Sequence, residues 1–254
     1  MNKVIVSKGW EGFADRLQCL SYCIDLAVKY NRKLHVDWDD AMWQTGFYEY
    51  FDIQGVEKCE PKGTAYPEFW NQALKKPNDD WIYRIKDYVE FKIEYADGDT
   101  PVWVHSGTGT RTWNMGTLAK RLQIKCSDQL PEIKILPRVV HLRGTDRTPD
   151  FEKLKQMAVQ YPDAAVLSDD ARCVQDWLKI NPEAQVITDT LSKDGKGMHQ
   201  VGLDGWSRHV LNLRVIADFL TLAFAKEAHA LNEESLFFQM ARIYGSFLKK
   251  ENKK

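Results

Sequence analysis

No run of this 254-residue chain is apolar for long enough to cross a bilayer, which excludes a helical membrane span. No sign of charge dominates either. The 35 Lys and Arg residues against 36 Asp and Glu leave a net charge of −1. That argues against a general binder of nucleic acid or of membrane surfaces, and any anionic ligand must meet a local basic site. Cysteine is scarce and badly spaced for metal. Cys19, Cys23, Cys59, Cys126 and Cys173 are odd in number and contain no CxxC pair, so neither a disulfide framework nor a zinc knuckle is expected. Cys19 and Cys23 stand four apart, on one helix face, and read as core. The opening MNKVIVSKGWEGF has too short an apolar stretch for a signal peptide. With the thiols, this leads to the expectation of a reducing, cytoplasmic compartment. No repeat of short period is present.

Strand-like and helix-like segments alternate instead, the pattern of an α/β fold with a mostly parallel sheet. Residues 3–7 (KVIVS) read as a buried strand. Over 14–30, Leu17, Leu20, Ile24, Ala27 and Val28 recur at helical spacing, and 34–38 (LHVDW) read as a second strand. Together these make a β-α-β unit of the size of a nucleotide-binding half. The aromatic-rich stretch 39–100 has poor periodicity and predicts irregular loops and short helices. It is either core or a platform for a glycan. Residues 101–106 predict a strand, followed by a glycine- and threonine-rich loop over 107–116. A second run then predicts strands at 138–142, 164–168, 185–188 and 229–232. Its predicted helices cover 151–161, 171–180, 207–225 and 234–248. The expected organisation is two halves, 1–134 and 135–254, joined near 131–137 and facing across a cleft, with ligands at the carboxyl ends of the strands.

Those strand ends carry the chemistry. The segment 139–147 (VVHLRGTDR) runs from a buried strand into a loop with His141, Arg143, Gly144, Asp146 and Arg147. An arginine beside a glycine suits bidentate capture of a diphosphate; the plainer alternative is a loop ion pair with Asp146. Ser168, Asp169 and Asp170 end the next strand. They could bind a guanine edge or a ribose, or Ser168 or Asp169 could simply cap the following helix. Gly195–Gln200 form a glycine-rich loop, and Asp218 interrupts an apolar helix face, where a carboxylate is costly unless paired. Residues 232–237 (NEESLF) open a helix whose free N–H groups suit phosphate.

In this order the segments resemble the fucosyltransferase superfamily, which includes the bacterial nodulation fucosyltransferases and the mammalian α1,6-fucosyltransferase. Residues 9–38 look like its opening loop, helix and strand, and HLRGTDR looks like its H-x-R-R-x-D donor motif. Residues 165–181 resemble its (T/S)DD strand–helix, residues 197–200 its G-x-L-H-H segment, and the Asp218 helix with Ser235-Leu236-Phe237 its last region. Residues 40–135 are unmatched, and Gly144 stands where the family has a second arginine. The resemblance implies a GT-B-like fold of two Rossmann-like halves, and an inverting transfer without metal or other cofactor. The implied donor is GDP-fucose and the acceptor a glycan, with no nucleic acid involved. It implies that Arg143 holds the β-phosphate, His141 contacts the nucleotide, and Asp169 or Asp170, Asp218 and Ser235 line the donor site in the second half. Arg16 falls on the acceptor side in the first. Asp146 is the candidate general base, with Asp150 and Glu152 behind it, because a carboxylate must accept the acceptor's proton.

Three other readings start from the same residues. Gly9-Trp10-Glu11-Gly12 followed by Asp37 imitates a dinucleotide-binding oxidoreductase, although Trp10 and Phe13 would crowd a pyrophosphate. Asp37-Trp38-Asp39 and Asp97-Gly98-Asp99 imitate the D-x-D of metal-dependent glycosyltransferases. Gly144 leaves room for a catalytically silent nucleotide- or sugar-binding module.

Overall fold

Every residue of the first strand, β1 (Val4–Lys8), is buried, as a parallel strand covered on both faces requires. The structure, a computed structural model, describes residues 3–8, 12–39, 42–61, 102–105, 115–145, 148–197 and 202–251. The chain forms two compact units, Met1–Ser127 and Asp128–Lys254.

In the first unit, β1 is followed by α1 (Phe13–Lys29) and β2 (Lys33–Asp37), which pairs parallel to β1. Helix α1 has no side-chain cap; Gly12 precedes it and Asp15 lies in its first turn, where a carboxylate favours the dipole. It ends where Asn31 turns left-handed at φ 49°, a conformation asparagine tolerates. Next come α2 (Phe47–Tyr50) and β3 (Phe51–Ile53), then β4 (Val102–His105), which pairs parallel to the free edge of β1. Helix α3 (Met115–Arg121) leads into β5 (Leu122–Ile124), antiparallel to β3. The helix takes in residues 115 and 116, which the expected loop over 107–116 includes; Met115 and Leu118 are buried there. Trp43, Phe47 and Tyr50 of the aromatic stretch are core rather than platform. Phe13 stacks on Trp43 with centroids 5.7 Å apart, and Trp38 meets Trp43 edge-on at 5.4 Å.

The second unit repeats the plan. Strand β6 (Arg138–Leu142) leads through α4 (Phe151–Gln160) to β7 (Ala165–Ser168) and α5 (Ala171–Leu178). After α6 (Arg208–Phe224) come β8 (Glu227–Ala230) and α7 (Leu236–Glu251). The sheet order is β7-β6-β8, all parallel. Asp150 caps α4 and Ser207 caps α6 through the backbone N–H groups of Lys153 and Val210.

Three expected boundaries move, each for a physical reason. The strand over 185–188 is a single bridge, Val166↔Val186, and pairing resumes only at Asp170↔Ser192. Two more residues lie between those bridges on the second side than on the first, so a continuous ladder cannot form. The last strand covers 227–230 rather than 229–232. Its pairing starts at Arg138↔Glu227, closed by an Arg138–Glu227 ion pair at 2.7 Å, and Asn232 instead makes a turn by accepting from Glu234 N at 3.0 Å. The final helix consequently begins at Leu236.

Candidate functional site

Three loops meet at the carboxyl ends of β6 and β7. Asp169, the first residue past β7, turns back onto the loop after β6. It accepts from Gly144 N at 3.0 Å, from Thr145 N at 3.4 Å, and from the Thr145 hydroxyl. Ser168 Oγ donates to Leu142 O at 2.6 Å, tying the two strand ends together. Burial raises the Asp169 carboxyl, against the lowering effects of Thr145, Gly144 and the Arg143 charge. Arg143 therefore acts electrostatically on the carboxylate that shapes its own loop.

Asp170 has a different task from its neighbour. Its side chain is 0% exposed, caps α5 by accepting from Arg172 N at 2.8 Å, and pairs with the Arg172 guanidinium at 2.5 Å. The cap of this helix is thus Asp170, not Ser168 or Asp169, because only Asp170 sits immediately before the first helical residue. Arg172, which the sequence did not single out, also reaches Gly144 O at 3.4 Å. The third loop closes on it. A Cβ on Gly195, whose φ is +75°, would stand 2.2 Å from Arg172 Nη2. Ser192 joins the same loop to the strand end, donating its N–H to Asp169 O at 2.9 Å. Gly144 is equally constrained: a Cβ there would fall 2.6 Å from Asp170 Oδ2 and 2.7 Å from Cys173 Sγ. The absence of a side chain at position 144 is what lets helix α5 approach this loop.

His141, 4% exposed, lies beneath, in β6. Burial, then the charge of Arg143, lowers it to about 3, so its imidazole is neutral at physiological pH. Its ring is parallel to Phe238 at 6.3 Å and 5.6 Å from Phe237, which places it against the first turn of α7. His141 Nδ1 and the hydroxyl of Ser235, itself 2% exposed, are buried with no hydrogen-bond partner among the described residues. Each such group costs about 1–3 kcal/mol unless something satisfies it.

Asp218 completes the cluster from α6. It accepts from Thr188 Oγ1 at 3.3 Å. Burial, reinforced by Asp189 and Asp169 and opposed by Thr188 and Arg214, raises it to about 7. An aspartate raised in the folded state binds a proton that the unfolded chain releases near pH 4, so stability falls as pH rises from there to about 7. Asp218→Asn keeps a partner for Thr188 and is expected to remove that loss. Its unfolding free energy from chemical denaturation, equal to wild type at pH 4, is expected to exceed it at pH 8 by on the order of 1–2 kcal/mol, with a correspondingly higher midpoint, allowing for partial exposure of the side chain. Equal midpoints at both pH values would mean that Asp218 is ionised throughout.

The structure thus brings His141, Arg143, Asp169, Asp170 and Asp218 around one set of strand ends, with Ser235 at the adjoining helix start. Asp146 and Arg147 lie outside the described residues, as do Met198–Gln200 and the D-x-D at 97–99. Arg16 belongs to the first unit and is 0% exposed. Its guanidinium lies 5.4 Å from the Trp43 ring and 5.8 Å from that of Trp38, and donates to Trp38 O at 3.5 Å. Asp37 is taken up by a 2.6 Å ion pair with Lys8. Among the described residues, no group of three His, Cys, Asp or Glu side chains could hold a metal ion, and no helix is long and apolar enough to cross a membrane.

Paired parallel sheets with helical crossovers and a polar cluster at strand ends define a GT-B-type α/β fold. It is the fold of the NodZ fucosyltransferases. A NodZ α-1,6-fucosyltransferase soaked with GDP-fucose is similar over 96% of this chain and 93% of its own, with a TM-score of 0.64 and 17% identity. The fucosyltransferase NodZ from Bradyrhizobium gives 0.67 over the same shares, also at 17% identity. A NodZ enzyme co-crystallised with GDP gives 0.65, again at 17%. No protein-family model matches the sequence, and no curated protein matches it.

Proposed function

We propose that this protein is a cytoplasmic, inverting glycosyltransferase that transfers fucose from GDP-fucose to a glycan acceptor without a metal ion. The observation that supports this reading best is the convergence of Arg143, His141, Asp169 and Asp218 at the strand ends of the second unit, in a fold shared with proteins crystallised with GDP and GDP-fucose. The acceptor hydroxyl attacks the anomeric carbon as the bond to the β-phosphate oxygen breaks. GDP leaves with the added negative charge, and Asp146 takes the hydroxyl proton. Arg143 and the N–H groups at the start of α7 meet that charge, which is greater in the transition state than in the ground state. His141, held neutral, and Ser235 offer the nucleotide polar atoms rather than charge. Asp169 and Asp170 set the loop and the helix start around it, and Asp218 lies at the wall they share.

Guanine presents an N1–H and an amine, both donors, which suit a carboxylate-lined wall. GDP is therefore expected to raise the melting temperature and UDP and NAD to leave it nearly unchanged. Ligand at about 100 times its Kd adds roughly 2.7 kcal/mol. A larger shift with UDP or NAD would overturn the donor assignment; a GDP shift without transfer to any acceptor would favour the silent binding module. Transfer is further expected to survive excess EDTA, because guanidinium and helix N–H groups can neutralise the leaving group. Loss on chelation with rescue by Mn²⁺ or Mg²⁺ would point to a D-x-D enzyme instead.

A further inference from the structure

Gly144 adjoins Arg143, and glycine is the residue whose backbone loses most freedom on being ordered. It is nonetheless held from both sides. Its N–H donates to Asp169 Oδ1 at 3.0 Å, and its carbonyl accepts from Arg172 Nη2 at 3.4 Å. We propose that Arg172 is a positioning residue for nucleotide binding, a role that rests on the nucleotide meeting the loop after β6. Its guanidinium holds the Gly144 peptide, and with it the segment that carries Arg143, in the form that binds.

The guanidinium is itself fixed. Its Nε donates to the two Asp170 oxygens at 3.0 and 3.2 Å, and Nη2 donates to Oδ2 at 2.5 Å. Asp170 is fully buried and also caps α5, so the fork has an anchor that solvent does not loosen. On another side stands Gly195, at φ +75°, where a Cβ would also fall 2.8 Å from Arg172 Cζ. Any side chain there would push the guanidinium from its place.

The loop that presents Gly195 is tied down in turn. Ser192 O accepts from Ala171 N at 2.9 Å. Asp194 Oδ1 accepts from Ser192 Oγ at 3.1 Å and from Lys196 N at 3.2 Å. One planar side chain therefore spans the loop after β6, the start of α5 and the segment 192–196. Arginine can pair with a carboxylate and reach a carbonyl at once, whereas a lysine ammonium supplies the same charge from a single point.

Calorimetric titration with GDP, urea denaturation and amide hydrogen exchange on the full chain separate this role from a merely stabilising one. Arg172→Lys keeps the ion pair with Asp170, so its denaturation midpoint is expected to stay near wild type. Its GDP affinity is expected to fall on the order of tenfold, the worth of one charge-assisted hydrogen bond. Its Gly144 and Thr145 amides are expected to exchange faster than those of wild type before GDP is added. Gly195→Ala displaces the guanidinium without altering Arg172, and is expected to weaken GDP by a similar factor. In the Arg172→Lys background the same alanine is expected to add almost nothing, since the backbone strain at position 195 is common to both and cancels. If Arg172→Lys does not fold, Gly195→Ala decides the matter. Wild-type affinity in either folded variant, unchanged amide exchange, or losses that multiply in the double variant would overturn this role alone. Failure of the wild-type protein to bind GDP would overturn the nucleotide reading beneath it as well.

Discussion

Replacing Arg143 by lysine is expected to cost nearly as much transfer activity as replacing it by alanine, on the order of 10²–10³ in turnover. The residue follows β6 and belongs to the loop fixed by Asp169 through Gly144 and Thr145. Lysine keeps the charge but loses the planar fork, so the two-point contact with the β-phosphate proposed above would become a single one. No guanidinium can take over from position 144, because any side chain there would collide with Asp170 and Cys173. Arg172 is close, but Asp170 neutralises it. Charge builds on the phosphate as the sugar departs, so the loss is expected in kcat more than in GDP affinity. Steady-state transfer, with folding verified by circular dichroism, is the measurement. A folded Arg143→Lys protein with wild-type turnover would show that the diphosphate is held elsewhere.

Gly245→Ala is expected to be the most destabilising of the single-methyl substitutions. Local propensity favours it: alanine in a helix interior gains about 1 kcal/mol over glycine. Packing opposes it more strongly. Gly245 lies in α7 where that helix meets the end of α6, and an added Cβ would stand 1.9 Å from Ala223 O and 2.7 Å from Ala223 C. The obstacle is backbone, which cannot rotate away. Arg242 Nη1 also donates to Leu222 O and Ala225 O, and Lys249 Nζ to Ala225 O, so parting the helices would break the bonds that finish α6. Overpacking of this kind costs about 1–3 kcal/mol and sometimes more; with backbone as the obstacle, a net loss near 3 kcal/mol is expected in urea denaturation. A variant as stable as wild type would mean that α7 can slide without penalty.

The strands at 4–8, 138–142 and 165–168 were legible because strands buried on both faces are nearly continuous apolar runs, and that at 33–37 because Leu34 and Val36 alternate with polar residues. Helices α1 and α6 were legible because one apolar stripe repeats along them. The pairing of Phe51–Ile53 with Leu122–Ile124 was not, since three-residue partners about 70 positions apart leave no local periodicity. Within the site, the strand-end positions of Arg143 and Asp169 followed from the α/β pattern. The division of labour between Asp169 and Asp170 did not, because two adjacent carboxylates at a strand end look alike in the sequence, although the helix start at residue 171 was expected where it is found. Arg172 was missed for a related reason: an arginine in a first turn reads as a solvent-facing side chain, and its contacts with Gly144 and Gly195 are made across three separate loops. The two glycines were the available signal, since each marks a place where a side chain has been excluded.

The packing of Trp38 against Trp43 has a spectroscopic consequence. Two indoles held 5.4 Å apart at 79° are neither parallel nor free to average, so their electronic transitions couple with a fixed handedness. Such a pair produces a split, oppositely signed circular-dichroism band that vanishes when either ring is released. The first unit therefore carries an intrinsic chiral label, and its melting can be followed apart from that of its companion without attaching a dye.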